Sequence, residues 1–80
     1  MIAEEIFKKL GYVKIENDPI TYHLVFYDMI AEIKFFKNTF CSGIYKKTSD
    51  NIYEIFGPII INNKLFNAIM LQMKELGWLE

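Results

Sequence analysis

Hydrophobic positions change period twice along the chain. Near the amino terminus Ile2, Ala3, Ile6, Phe7 and Leu10 recur at the spacing of one helical face, with Glu4, Glu5, Lys8 and Lys9 on the other. This stripe predicts a helix from Ala3 to Leu10. Glu4 and Glu5 each precede a lysine by four residues, the orientation in which such pairs support a helix. Gly11 is a natural stop, because glycine takes the left-handed conformation after a helix without a Cβ clash. Tyr12 is then placed to fold back on Phe7.

The middle of the chain alternates. Tyr12 to Glu16 carries Val13 and Ile15 on one side, and Asn17-Asp18-Pro19 is a turn signal. Ile20 to Tyr27 follows, with Tyr22, Leu24 and Phe26 on one face and Thr21, His23, Val25 and Tyr27 on the other. After Asp28, the run from Ala31 to Lys37 opposes Ile33 and Phe35 to Glu32, Lys34 and Phe36. Asn38 marks a tight turn into Thr39 to Lys46, Thr48 to Asn51 reads as a polar loop, and Ile52 to Phe56 as a further short strand. Alternating runs separated by such short turns predict a meander of antiparallel hairpins.

Period 3.6 returns at the carboxy terminus. Ile59-Ile60-Ile61 reads as a last short strand or as the entry to a helix from about Lys64 to Leu76, which Asn62 or Asn63 can cap and Gly77 ends. On its wheel Leu65, Ile69, Met73 and Leu76 share the face predicted to meet the sheet, and Trp78 is placed to pack on Met73. The predicted fold is α+β: one domain over residues 1–80, with an antiparallel sheet of four to five strands and both terminal helices on one of its faces.

Composition supports a packed core in a chain of 80 residues, since 52% are hydrophobic and 16% aromatic. All nine basic residues are lysines and face ten carboxylates, for a net charge of −1. That balance argues against a nucleic-acid partner, whose phosphates call for clustered positive charge. A lone cysteine, Cys41, permits no internal disulfide, and the acidic start Met1-Ile2-Ala3-Glu4-Glu5 is unlike a secretory leader. No apolar run approaches the roughly 18 residues of a membrane span. The expectation is a cytoplasmic protein with no membrane partner.

Candidate chemistry is sparse. His23 is the single histidine, which leaves no pair for a metal site or a relay. Cys41 reads either as a small buried hydrophobe or as a nucleophile partnered by His23 across two strands. Asp18, Asp28 and Asp50 fall at turns, while Glu32 and Glu54 lie on strands that a sheet can bring together. The aromatics Tyr22, Tyr27, Phe35, Phe36, Phe40, Tyr45 and Tyr53 interleave with Lys34, Lys37, Lys46 and Lys47, loosely like a base-stacking platform. The sequence therefore predicts no catalytic residue, no metal site and no cofactor.

The two ends carry a resemblance. Ala3-Glu4-Glu5-Ile6-Phe7-Lys8-Lys9-Leu10-Gly11-Tyr12 and Leu71-Gln72-Met73-Lys74-Glu75-Leu76-Gly77-Trp78 resemble a group of small proteins of unknown function encoded by phages and prophages of low-GC Gram-positive bacteria. The resemblance implies a phage accessory role, in which small proteins bind a host or phage factor, and it brings no functional residues with it.

The function expected is a non-catalytic protein–protein interaction module: an adaptor, inhibitor or modulator. A small-ligand binder of nucleotide type is the alternative, followed by a single-stranded nucleic-acid binder. The candidate interaction surface, for a twin subunit or another protein, is the outer side of the last helix. There Phe66 and Met70 border the core-facing stripe, and Leu71 falls opposite it among Lys64, Asn67 and Lys74.

Overall fold

The computed structural model describes residues 2–79. Helix α1 (Ala3–Lys9) leads into five strands, β1 (Val13–Asn17), β2 (Ile20–Phe26), β3 (Met29–Phe36), β4 (Thr39–Ser49) and β5 (Ile52–Gly57), and helix α2 (Asn63–Glu75) closes the chain. The strands form one antiparallel sheet in the order β1-β2-β3-β4-β5, so each pairs with its sequence neighbour. This is the predicted α+β meander, with five strands.

Tight turns fix the register. Phe26 opposes Met29 and Phe36 opposes Thr39, leaving the two-residue loops Tyr27-Asp28 and Lys37-Asn38. Lys37 and Asn38 both adopt positive φ (52° and 65°), the backbone of the hairpin turn whose twist matches the strands it joins. Strand β4 runs on to Ser49, so the polar stretch from Thr48 belongs mostly to the sheet and only Asp50-Asn51 turns. Thr48 and Ser49 were expected in a loop; pairing with β5 outweighs their weak strand signal. The Ile59-Ile60-Ile61 segment forms no strand and is the entry to α2.

Both helices end in the same hydrogen-bonded motif. At α1 the Gly11 N–H donates to the Lys8 carbonyl (3.0 Å) and the Tyr12 N–H to the Phe7 carbonyl (2.9 Å). At α2 Gly77 donates to Lys74 (3.0 Å) and Trp78 to Met73 (3.0 Å). Gly11 and Gly77 hold φ of +95° and +78°, so the predicted glycine stops are real. Their surroundings differ. A Cβ at Gly11 would lie 2.8 Å from Leu24 Cδ1, whereas one at Gly77 meets nothing within 4 Å. Gly77→Ala should cost about 1 kcal/mol from its backbone alone, and Gly11→Ala more, because Leu24 packs against the core and must shift. Urea titration of the two variants checks that order.

The core lies between the helices and one sheet face. Phe7 stacks on Tyr22 with ring centroids 3.9 Å apart and meets Tyr12 and Phe35 edge-on. Ala31 and Ile33 from β3 and Leu65, Ala68 and Ile69 from α2 complete it. Asn62 caps α2, its Oδ1 accepting from the Leu65 N–H at 2.9 Å. The helices are also joined end to start, since the Ala3 N–H donates to Glu75 Oε2 at 2.7 Å. Gln72, a polar residue, is buried on the sheet-facing side of α2; its Oε1 accepts from the Tyr22 hydroxyl at 2.6 Å within the core. Met73 and Leu76, expected on the face that packs on the sheet, do pack against the core but stay partly exposed at its margin.

That interior gives the fold an alkaline limit. Burial, with the Glu4 and Glu75 carboxylates behind it, holds the Tyr22 hydroxyl well above its ordinary range, and burial raises Tyr12 as well. The unfolded chain releases these protons near pH 10, about where free tyrosine titrates, while the native state keeps them. Their contribution to stability is therefore complete below about pH 10 and is lost as pH rises above it, by up to about 1.4 kcal/mol per pH unit for each group. Urea midpoints at pH 9 and pH 11 should show the fall, and Tyr22→Phe should make it shallower.

Candidate functional site

The helices cover only one face of the sheet. The residues on the other follow from the register. Val25 opposes Ile30, Ile30 opposes Tyr45 and Tyr45 opposes Ile55, so four strands contribute one continuous apolar row. Val25 is 69% exposed and Ile55 79%. On one side of the row, two positions along each strand, Val13, His23, Glu32 and Gly43 make a second line. On the other side Lys47 opposes Tyr53.

His23 and Glu32 are bonded to each other, with His23 Nε2 2.8 Å from Glu32 Oε2, and each side chain keeps only about a fifth of its surface open. They form the polar side of a broad depression of about 300 Å³ whose other walls are Ile30, Tyr45 and Tyr53. With the imidazole neutral, its Nε2–H donates to the carboxylate and the full negative charge stays on Glu32. Gly43 stands directly across from Glu32; a Cβ there would meet only the Gly57 carbonyl, at 3.9 Å.

Sequence reasoning placed His23 and Glu32 on strands without joining them. The signal was available in the loop length: a two-residue turn at Tyr27-Asp28 sets Phe26 against Met29, and counting back three residues sets His23 against Glu32.

Other candidates fall apart. Cys41 is exposed, so it is not the small buried hydrophobe expected. It stands two strands from His23 and two residues out of line with it, on the order of 10 Å away, too far for a thiol–imidazole pair. Glu32 and Glu54 lie on opposite faces, since Glu54 opposes Lys46 on the helix side. Tyr22 and Phe35 are buried in the core, which removes them from any stacking platform. Among the described residues, no group of three or more His, Cys, Asp or Glu is placed to hold a metal ion, and no helix is long and apolar enough to cross a membrane.

On α2 Phe66 is 49% exposed and Met70 half-buried. Leu71 departs from expectation: it packs against the core cluster instead of standing opposite it. The buried stripe is centred on Leu65, Ala68, Ile69 and Gln72, which brings the flank bearing Leu71 down onto the core.

No family model, curated protein or solved structure matches this chain.

Proposed function

We propose that the chain is a non-catalytic binding module that docks a protein surface on the uncovered face of its sheet. One observation carries this reading: the row Val25, Ile30, Tyr45 and Ile55, apolar across four strands and unshielded by either helix. A patch of this size is of the order of the largest on a typical monomer, and such patches are often functional. Tyrosine is favoured in the centre of interfaces, and Tyr45 and Tyr53 stand at the centre and side of this one. Strand pairing holds the face in shape, with the helices behind β2 and β3 and the β5 edge bare on both sides, where Glu54 and Phe56 are exposed.

The test is a pair of double substitutions. Val25→Ser with Ile55→Ser should leave the protein folded, with the thermal midpoint lowered by at most about 8 °C, because both side chains already face water. It should also abolish association with the partner. Phe66→Ser with Met70→Ser should leave association intact. The reverse pattern would move the docking surface to α2.

A small ligand of nucleotide type is the second reading, favoured by the depression beside His23 and Glu32. Such a ligand would raise the thermal midpoint in proportion to its saturation, and Tyr53→Ala would remove the rise.

A further inference from the structure

We propose that the partner of the uncovered face is a second copy of this chain, docked face to face about a twofold axis that runs along the row Val25, Ile30, Tyr45 and Ile55. The inference rests on the docking-face reading and names its occupant.

Along β4 the residues facing this side are Gly43, Tyr45 and Lys47 in succession. An axis through Tyr45, lying in the face and perpendicular to the strands, sets each copy's apolar row on its counterpart and exchanges the lines on either side. Lys47 of one copy then stands over the partner's Gly43, beside the partner's Glu32, which is directly across from that glycine. The lysine finds the partner's Glu32 carboxylate, and the partner's Tyr45 ring stands at the next same-face position along the strand; both favour an ammonium group. Twofold symmetry makes the contact twice.

Gly43 is the independent observation. A glycine inside a strand weakens it and often marks a place where another group comes close. Here a Cβ would meet only the Gly57 carbonyl, at an ordinary contact distance of 3.9 Å. The charges are arranged to suit. Glu32 is the acidic residue of the contact area, His23 is already paired with it, and Lys34 lies one position further out, at the rim.

The contact is small. Four strands about 4.8 Å apart and three positions about 7 Å apart give a footprint of roughly 20 Å by 20 Å. A standard interface buries about 800 Å² per partner and this footprint is about half of that, so the pairing is weak and concentration-dependent.

Sedimentation equilibrium from about 10 µM to 1 mM, on the full chain, tests it. The wild type should self-associate as a dimer. Lys47→Glu and Glu32→Lys should each weaken the dimer at least tenfold, because like charges then meet at both contacts. Mixing the two variants should restore it, since each supplies what the other lacks. Gly43→Leu, whose Cβ has room beside the Gly57 carbonyl at 3.9 Å, should also break the dimer while the monomer stays folded. It keeps the test valid if Glu32→Lys folds poorly. A wild type that stays monomeric at 1 mM, a mixture no tighter than its components, or a dimer indifferent to Gly43→Leu overturns the proposal. A monomer whose Val25 nevertheless crosslinks to a different protein overturns the second copy alone and leaves the docking face standing. A monomer with no crosslink there overturns both.

Discussion

Phe7→Ala should leave the protein largely unfolded at 37 °C. Phe7 is fully buried and touches three other rings, stacked on Tyr22 at 3.9 Å and edge-on to Tyr12 and Phe35 at 5.9 and 6.2 Å. Truncating such a residue removes its transfer free energy and leaves a cavity, for about 3–5 kcal/mol. A domain of this length holds roughly 4–12 kcal/mol in total at typical values per residue. The loss therefore takes a large share of the whole. Phe7 also joins α1 to β2 and β3, so neighbouring rings cannot close the gap without moving the helix. Urea unfolding followed by tyrosine fluorescence reads the change; a loss below about 1 kcal/mol would mean that α1 is not seated where the structure puts it.

The second large effect concerns the buried bond between the Tyr22 hydroxyl and Gln72 Oε1. Tyr22→Phe strands the glutamine oxygen inside the core, and Gln72→Leu strands the hydroxyl. Each should cost about 1–3 kcal/mol, because a buried polar group without a partner keeps its full desolvation penalty. Tyr22→Phe with Gln72→Leu leaves neither group stranded. The double variant should be markedly more stable than the sum of the two single losses predicts, with a coupling of at least about 1 kcal/mol. Simple additivity would show that the two groups do not depend on each other.

Those two residues also show what the sequence carried and what it did not. Tyr22 was placed on the core face by alternation alone, and Phe7 by its helical stripe, because period and burial are local properties of the chain. Gly11 and Gly77 gave the helix ends for the same reason. Gln72 reads as a surface residue on its own, and only the approach of Tyr22 across 50 positions of sequence makes it a core residue. Leu71 and Cys41 were misjudged by the same omission: a wheel or an alternation gives a side chain's direction, and the packed neighbour decides its burial. The candidate site needed one further step. The face bearing His23, Val25 and Glu32 was legible strand by strand, but the row across four strands exists only once the turn lengths set every register together.

The most direct test of the docking face is photo-crosslinking from a single position. The protein would carry a benzophenone amino acid at Val25, on the open sheet face, or at Phe66, on α2, and be irradiated in the cells that produce it. Both sites are exposed enough to accept the probe without loss of fold. A discrete protein adduct from Val25, suppressed by Ile55→Lys and absent from Phe66, is the result expected. Adducts from Phe66 with none from Val25 would contradict the account and assign the binding surface to the helix.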